Sequence, residues 1–411
     1  MRVLFRTIYP YLFLLLFFTI PFDDYVRALP NILLIVLAVL FPIVIQKEDF
    51  VKLKKIPAIV WGMFFVLTPL LLLFNGTIVE DTSELNKILL SGALVVLYLP
   101  IGDFKKINKA IIFSSVVAIF YSLIKLFILL NQGVSISFLE SATIIEAILV
   151  DRIYLGFLAV LSILGSYQLL RPYYHPDNRY YLANIVLNVL FILFIVSRIA
   201  IVVLLAIFIL SLFHSKKRGP QILFATGGLL LVAALTFVLN KDFRKKILYS
   251  SKTELSQGLI ANTMAYEPRT IIWDCAWQIA KKNNMLWTGL GFARTNEEMM
   301  KCYESSIQDQ AKKEWFVKQK YNVHNEFLDL YLGVGIIGLI LFLAALLTLF
   351  YRNRKSFYPS ALLLTLVCFS AVENVFHRQI GAYYVGFVLL SLLIHQQPLD
   401  NEKEPNEKKI P

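Results

Sequence analysis

His324 and a small set of arginines stand where apolar stretches begin, and that placement limits the chemistry open to them. The stretch from Glu267 to Gly338 opens with Glu267-Pro268-Arg269. It closes with Val323-His324-Asn325-Glu326 running into a long apolar segment. Arg152 and Arg198 each sit beside another apolar run, with no basic cluster around them. One such arginine reads as a snorkelling side chain or as half of an ion pair, for Arg152 with Asp151. Several on one face make an anion site an equal reading. Guanidinium forks match phosphate oxygens bidentately, and a pyrophosphate offers many. His324 begins its run, with Asn322 in place to cap the helix that follows. The positive end of a helix dipole favours a neutral imidazole, the form that accepts a proton as a general base. A histidine that merely hydrogen-bonds at the interface is the equal alternative.

A membrane bundle must position these residues. Of the 411 residues, 58% are hydrophobic, against roughly 45–50% in soluble domains. Apolar runs recur from Tyr9 to Ile394, and a spanning helix needs about 20 such residues. The chain therefore reads as all-α and polytopic. The 14% aromatic content suits interfacial belts of Trp and Tyr. The net charge of +12 reads as topology-setting charge in cytoplasmic loops and does not call for nucleic acid. Cys275 and Cys302 share one hydrophilic segment and could pair, but their spacing does not demand it. No cluster has metal-ligand spacing. Arg2 and Arg6 precede an apolar run without a small-residue cleavage pattern, so that run reads as a retained first helix.

Spans are expected at about 8–22, 29–45, 57–74, 88–99, 110–130 and 153–170. The next run, 182–213, is interrupted by Ser197-Arg198. As one helix it would rise about 48 Å against a hydrocarbon core of about 30 Å. Two spans bending near Arg198 keep Lys216-Lys217-Arg218 and the basic residues at 352–355 in the cytoplasm, as the positive-inside rule prefers. Further spans follow at 222–239, 327–350, 360–372 and 380–394, making about twelve, with both termini cytoplasmic. The chain divides into a bundle of about nine spans (1–240), a periplasmic loop with amphipathic helices (241–323) and C-terminal membrane helices (324–395). A charged tail (396–411) reads as disordered.

In this topology the outer face gathers Arg152, Arg198, Arg269, Arg294, His324, Glu373, His377 and Arg378. Charges at such a lip are costly and mark function. Between Arg269 and Lys282, Ile272, Trp273, Ala276, Trp277 and Ala280 share one helical face, with Pro268 in the first turn. That helix either lies flat in the interface with its tryptophans toward lipid or packs on the bundle. Gly333, Gly335 and Gly338 spell G-x-G-x-x-G inside an apolar span, which reads as close helix packing and not as a dinucleotide loop.

Taken together, Pro268-Arg269-x-x-x-Trp273, Thr288-Gly289-Leu290-Gly291, and His324-Asn325-Glu326-Phe327-Leu328 running into Gly333-x-Gly335-x-x-Gly338 resemble the O-antigen ligase and O-antigen polymerase superfamily. Ser197-Arg198 and the stretch from Glu373 to Gly381, with Arg378, add to the resemblance, which covers about 150–395. The first five spans match in hydropathy only. The resemblance implies a GT-C-like, polytopic glycosyltransferase of the bacterial inner membrane, its active site facing the periplasm. It would act on undecaprenyl-pyrophosphate-linked glycans without a metal or other cofactor. His324 would then deprotonate the acceptor hydroxyl. Arg198 and Arg269, with Arg152 as a helper, would grip the donor pyrophosphate, and Glu373, Arg378 and Asn325 would support them. A pyrophosphate leaving group needs charge stabilisation more than protonation. One base and one anion clamp imply single displacement with inversion.

The acceptor would be lipid A-core for a ligase, which the single long late loop favours, or a second lipid-linked glycan for a polymerase. A transporter of an anionic lipid would share the basic outer cavity. It would also need charged or broken-helix sites near the bilayer midplane, for which Lys125 is the candidate. Membrane lipids are the other expected partners, and no nucleic acid is expected.

Overall fold

The computed structural model describes residues 2–22, 25–26, 28–101, 103–133, 151–171, 175–195, 197–214, 268–282 and 287–394. The expected span at 222–239, the loop charges Lys216-Lys217-Arg218, the segment 240–267 and the tail 396–411 lie outside them. Among the described residues the regular elements are helical. They run α1 (Arg2–Thr19), α2 (Ala28–Val44), α3 (Ile56–Phe74), α4 (Thr82–Leu97), α5 (Phe104–Asn131), α6 (Arg152–Leu169), α7 (Asn178–Phe194) and α8 (Arg198–His214). Then come α9 (Pro268–Lys282), α10 (Phe292–Ser306), α11 (Gln310–Gln319), α12 (Glu326–Asn353), α13 (Phe357–Ser370) and α14 (Gln379–Leu393). Among the described residues, five helices are long and apolar enough to cross a membrane: α1 with the short turn after it, α3, α5, α6 and α12. A sixth is reached if α2 is joined to Lys47–Leu53, bent from it by 116°. Helices α7, α8, α13 and α14 are apolar but shorter. The chain is a polytopic α-helical membrane protein.

The run 182–213 is two helices, parted between Phe194 and Arg198, and Arg198 opens the second. Lipid offers no hydrophobic drive for helix association, so packing and polar contacts must supply it. Helix α14 is buried on all sides, as a helix inside a bundle must be. Gly386 lets it approach Leu94 of α4 closely. Trp61 and Phe64 of α3 meet Phe342 of α12, ring centroids 5.7 and 5.4 Å apart. Helices α5, α6 and α7 are joined by buried amides and hydroxyls. Ser115 Oγ donates to Asn188 Oδ1 (2.6 Å), and Asn184 Nδ2 donates to Ser162 Oγ (2.9 Å) and Ser166 Oγ (2.7 Å).

One end of the bundle gathers the N-terminal ends of α4, α6, α8, α12 and α14 together with α9–α11. Asp81, the cap position of α4, accepts from Ala293 N of α10 (2.7 Å). Arg378, before α14, lies 3.9 Å from Asp151, which caps α6. Ser197 and Ala200 at the start of α8 pack on Gly156 of α6.

Gly333 of α12 leaves room for the Phe292 ring at the start of α10, whereas Gly335 makes room for a neighbouring segment of backbone. Gly335 is non-helical (φ 86°, ψ −177°) and breaks the span. The carbonyls around the break are taken up by segment 287–291: Leu290 N donates to Leu332 O (2.7 Å) and Gly291 N to Gly333 O (2.9 Å). Irregular backbone at membrane depth is tolerated only where protein satisfies it in this way. A Cβ on Gly335 would strike the Trp287 carbonyl, and one on Gly289 the Gly333 carbonyl.

Helix α9 starts at Pro268, but its buried face is Ile272, Cys275, Ala276, Ile279 and Ala280. Of the expected face, Ile272, Ala276 and Ala280 are buried, and Trp277 is 53% exposed on the outside of the packed unit. The buried stripe packs with Met299, Tyr303, Phe316 and Leu332. Cys275 and Cys302 form a disulfide that ties α9 to α10.

Candidate active site

Helix α12 begins at Glu326, one residue after Asn325, whose Oδ1 accepts from Phe327 N (3.0 Å) and Leu328 N (3.1 Å). Asn325 is therefore the cap. Asn322, expected in that role, accepts instead from His324 N (3.2 Å). A cap must stand immediately before the helix to reach the second and third amides, and Asn322 is too far back. His324 itself has φ 47°, a left-handed conformation that non-glycine residues adopt rarely and histidine more than most. Trp273 Nε1 of α9 donates to its carbonyl (3.4 Å).

The loop 371–378, between α13 and α14, lies across this helix start. Asn325 Nδ2 donates to Ala371 O (3.0 Å) and Asn325 N to Asn374 Oδ1 (2.7 Å). Phe376 N donates to Glu326 Oε2 (3.2 Å). Arg269, in the first turn of α9, donates from Nε to Val372 O (3.2 Å). Glu373 Oε2 thereby comes 3.1 Å from His324 Nδ1. The Glu373 side chain is 7% exposed and that of His324 21%. Burial pushes the Glu373 carboxyl up. The hydrogen bond to His324 and the charges of His324, Arg269 and Arg378 outweigh burial and hold it below the ordinary carboxylate range. An ionised carboxylate can only accept, so it fixes a proton on Nδ1 and leaves the Nε2 lone pair to act.

Arg378 lies over the ring of Tyr154 (5.6 Å) as well as near Asp151. Tyr154 OH reaches the Asn374 carbonyl (3.5 Å). Direct contact or charge thus joins His324, Asn325, Arg269, Glu373 and Arg378 around one loop. Arg152 and Arg198 open α6 and α8, which adjoin at Gly156 at the same end of the bundle. Arg294 stands on the exposed face of α10, in the charge row of Glu298 and Lys301. Residue reading missed Glu326, Asp329 and Asn374, all buried here. Two acids in the first turn of an apolar run were the available signal, because such groups need a buried partner.

No curated protein matches the chain. A protein-family model described as O-antigen ligase matches residues 183–343. That range takes in Arg198, Arg269, His324 and the break at Gly335, and stops short of Glu373 and Arg378. Over residues 183–343 this chain carries an O-antigen ligase family domain.

Proposed function

We propose that the protein is an O-antigen ligase of the bacterial inner membrane. It crosses the membrane about twelve times with its site on the periplasmic face, and it moves a glycan from undecaprenyl pyrophosphate to a lipid A-core hydroxyl. The family implies ligase- or polymerase-type transfer from lipid-linked glycans. The observation that carries the reading is the His324–Glu373 contact flanked by Arg269 and Arg378. His324 Nε2 takes the proton of the acceptor hydroxyl as that oxygen attacks the anomeric carbon. Glu373 steadies the imidazolium that forms, the logic of any base oriented by a third group. The bond to the pyrophosphate breaks on the opposite side, and the configuration inverts. Arg269, Arg198 and Arg152 spread the charge of the leaving group, and Asn325 and Arg378 hold the loop and the field around it.

Lys125 gives a transporter reading little support, because its Nζ donates to Tyr25 OH (2.9 Å) in the short connection between α1 and α2 and not mid-span. Purified protein given both lipid substrates tests the transfer. His324→Ala is expected to lower the rate by about 10²–10⁴-fold, and full activity in that variant overturns the base. Deleting the gene separates ligase from polymerase. Unattached but full-length carrier-linked polymer marks a ligase, whereas loss of chain length marks a polymerase.

A further inference from the structure

Beneath the loop that carries Glu373 lies a second pair of titratable side chains that the transfer chemistry does not use. His377 Nε2 sits 2.7 Å from Asp329 Oδ2, the two side chains 10% and 1% exposed. Asp329 is on α12, one turn below Asn325, and Glu326 shares its face of the helix. We infer that the His377–Asp329 ion pair is the clamp that holds loop 371–378 down and so keeps Glu373 against His324, making both residues positioning residues for transfer. This rests on the proposed reading of His324.

The geometry makes the pair an anchor at the far end of a short lever. Three residues, Asn374, Val375 and Phe376, lie between Glu373 and His377. Between them the loop also meets α12 and its cap through the Phe376 and Val375 amides at Glu326, through Asn374 Oδ1 at Asn325 N, and through the Phe376 ring against Phe342. The other charged groups facing His377 are Glu326 on α12 and Glu84 on α4, both acidic. Lys87 of α4 donates to the His377 carbonyl (2.9 Å) and pairs with Glu84 (3.7 Å). Phe292 of α10 meets the imidazole edge-on at 6.0 Å. Burial works against a charged imidazole here, but Asp329's charge and hydrogen bond, with Glu326 and Glu84, raise His377 to about 9. A histidine raised in the folded state contributes fully below its ordinary value of 6.5 and loses that contribution as pH rises through about 9. The clamp is therefore closed at neutral pH and opens on the alkaline side.

The test pairs two readouts in the full-length protein in nanodiscs. The first is transfer from undecaprenyl-pyrophosphate-linked oligosaccharide to lipid A-core. The second, which needs no substrate, is hydrogen exchange of the peptide covering 371–378, corrected for intrinsic rate. Asp329→Asn and His377→Gln are expected to lower kcat by about tenfold to a hundredfold with little change in KM. Protection of the loop should fall while α14 stays protected, and the fall in wild-type protection near pH 9 should be absent from the variants. The double variant Asp329→Asn with His377→Gln keeps volume and a hydrogen bond without charge, and is expected to stay slow. Wild-type kcat and wild-type loop protection in that double variant would overturn the clamp. So would single variants that lose loop protection yet keep kcat. If wild-type protein shows no transfer while loop protection still responds to Asp329→Asn, the clamp holds the loop and the transferase reading fails instead.

Discussion

At the scale of single residues, the site is one imidazole made directional by its neighbours. Glu373 accepts from one ring nitrogen, and the loop carbonyl at Val372 fixes a guanidinium beside it. Glu373→Gln keeps the shape but replaces the ionised acceptor. It should lower kcat by about tenfold or more while donor KM moves little, as steady-state kinetics would show. The same change has a pH signature. A carboxyl depressed in the folded state adds stability that is present above its ordinary 4.5 and is lost as pH falls through the lower folded value. The acid-side fall in melting temperature below 4.5 should therefore be shallower in the glutamine variant. Arg269→Lys keeps charge but loses the planar fork, so donor KM should rise several-fold, and an unchanged KM would remove Arg269 from the clamp. Of these residues, sequence reading reaches His324 and Glu373 by their place at the ends of apolar runs, and Arg269 by its place at the start of an amphipathic helix. It does not reach the Asn325 cap or the 3.1 Å contact. The first turns on one residue of helix boundary, and the second joins positions 49 apart in the chain.

At the scale of elements, the break in α12 decides how the hydrophilic segment meets the membrane. Segment 287–291 fills the place where two turns of helix would otherwise bond to each other. Gly335→Ala places a methyl against the Trp287 carbonyl and forces a positive φ on a side-chain residue. It should cost about 1–3 kcal/mol or more, read as a lower melting temperature in detergent, with activity falling as the segment shifts. The disulfide between α9 and α10 acts on the same region, since α9 carries Arg269 and Trp273. Replacing Cys275 and Cys302 with serine should destabilise that region by about 2–4 kcal/mol. Limited proteolysis should then cut 268–306 while the bundle stays intact. Hydropathy alone finds the long apolar helices α1, α3, α5, α6 and α12, because lipid forces each backbone to satisfy itself within a helix. The parting of 182–213 into two helices is legible for a similar reason: one helix of that length overshoots the bilayer. The break at Gly335 is not legible. A glycine in an apolar run looks the same whether it admits a helix or a strand of backbone.

At the scale of the whole molecule, distant parts of the chain converge on one end of the bundle. Asn75 of the α3–α4 connection donates to the Thr288 carbonyl, Lys87 of α4 holds His377, and α6 reaches the loop through Tyr154. Composition makes a membrane bundle plain, and basic loops suggest its orientation. Which helix ends stand side by side comes only from packing, which periodicity does not encode. One ordering has a temporal meaning. His324 and Glu373 lie on either side of α13, so the ribosome releases them at different moments. A nascent chain halted after α12 already holds the imidazole, Arg198 and Arg269, yet it lacks the carboxylate that meets Nδ1. Only threading of the final hairpin joins the two halves of the contact. On the proposed chemistry, a half-translated protein turns over carrier-bound sugar slowly, and full competence arrives once α13 and the loop after it are in place.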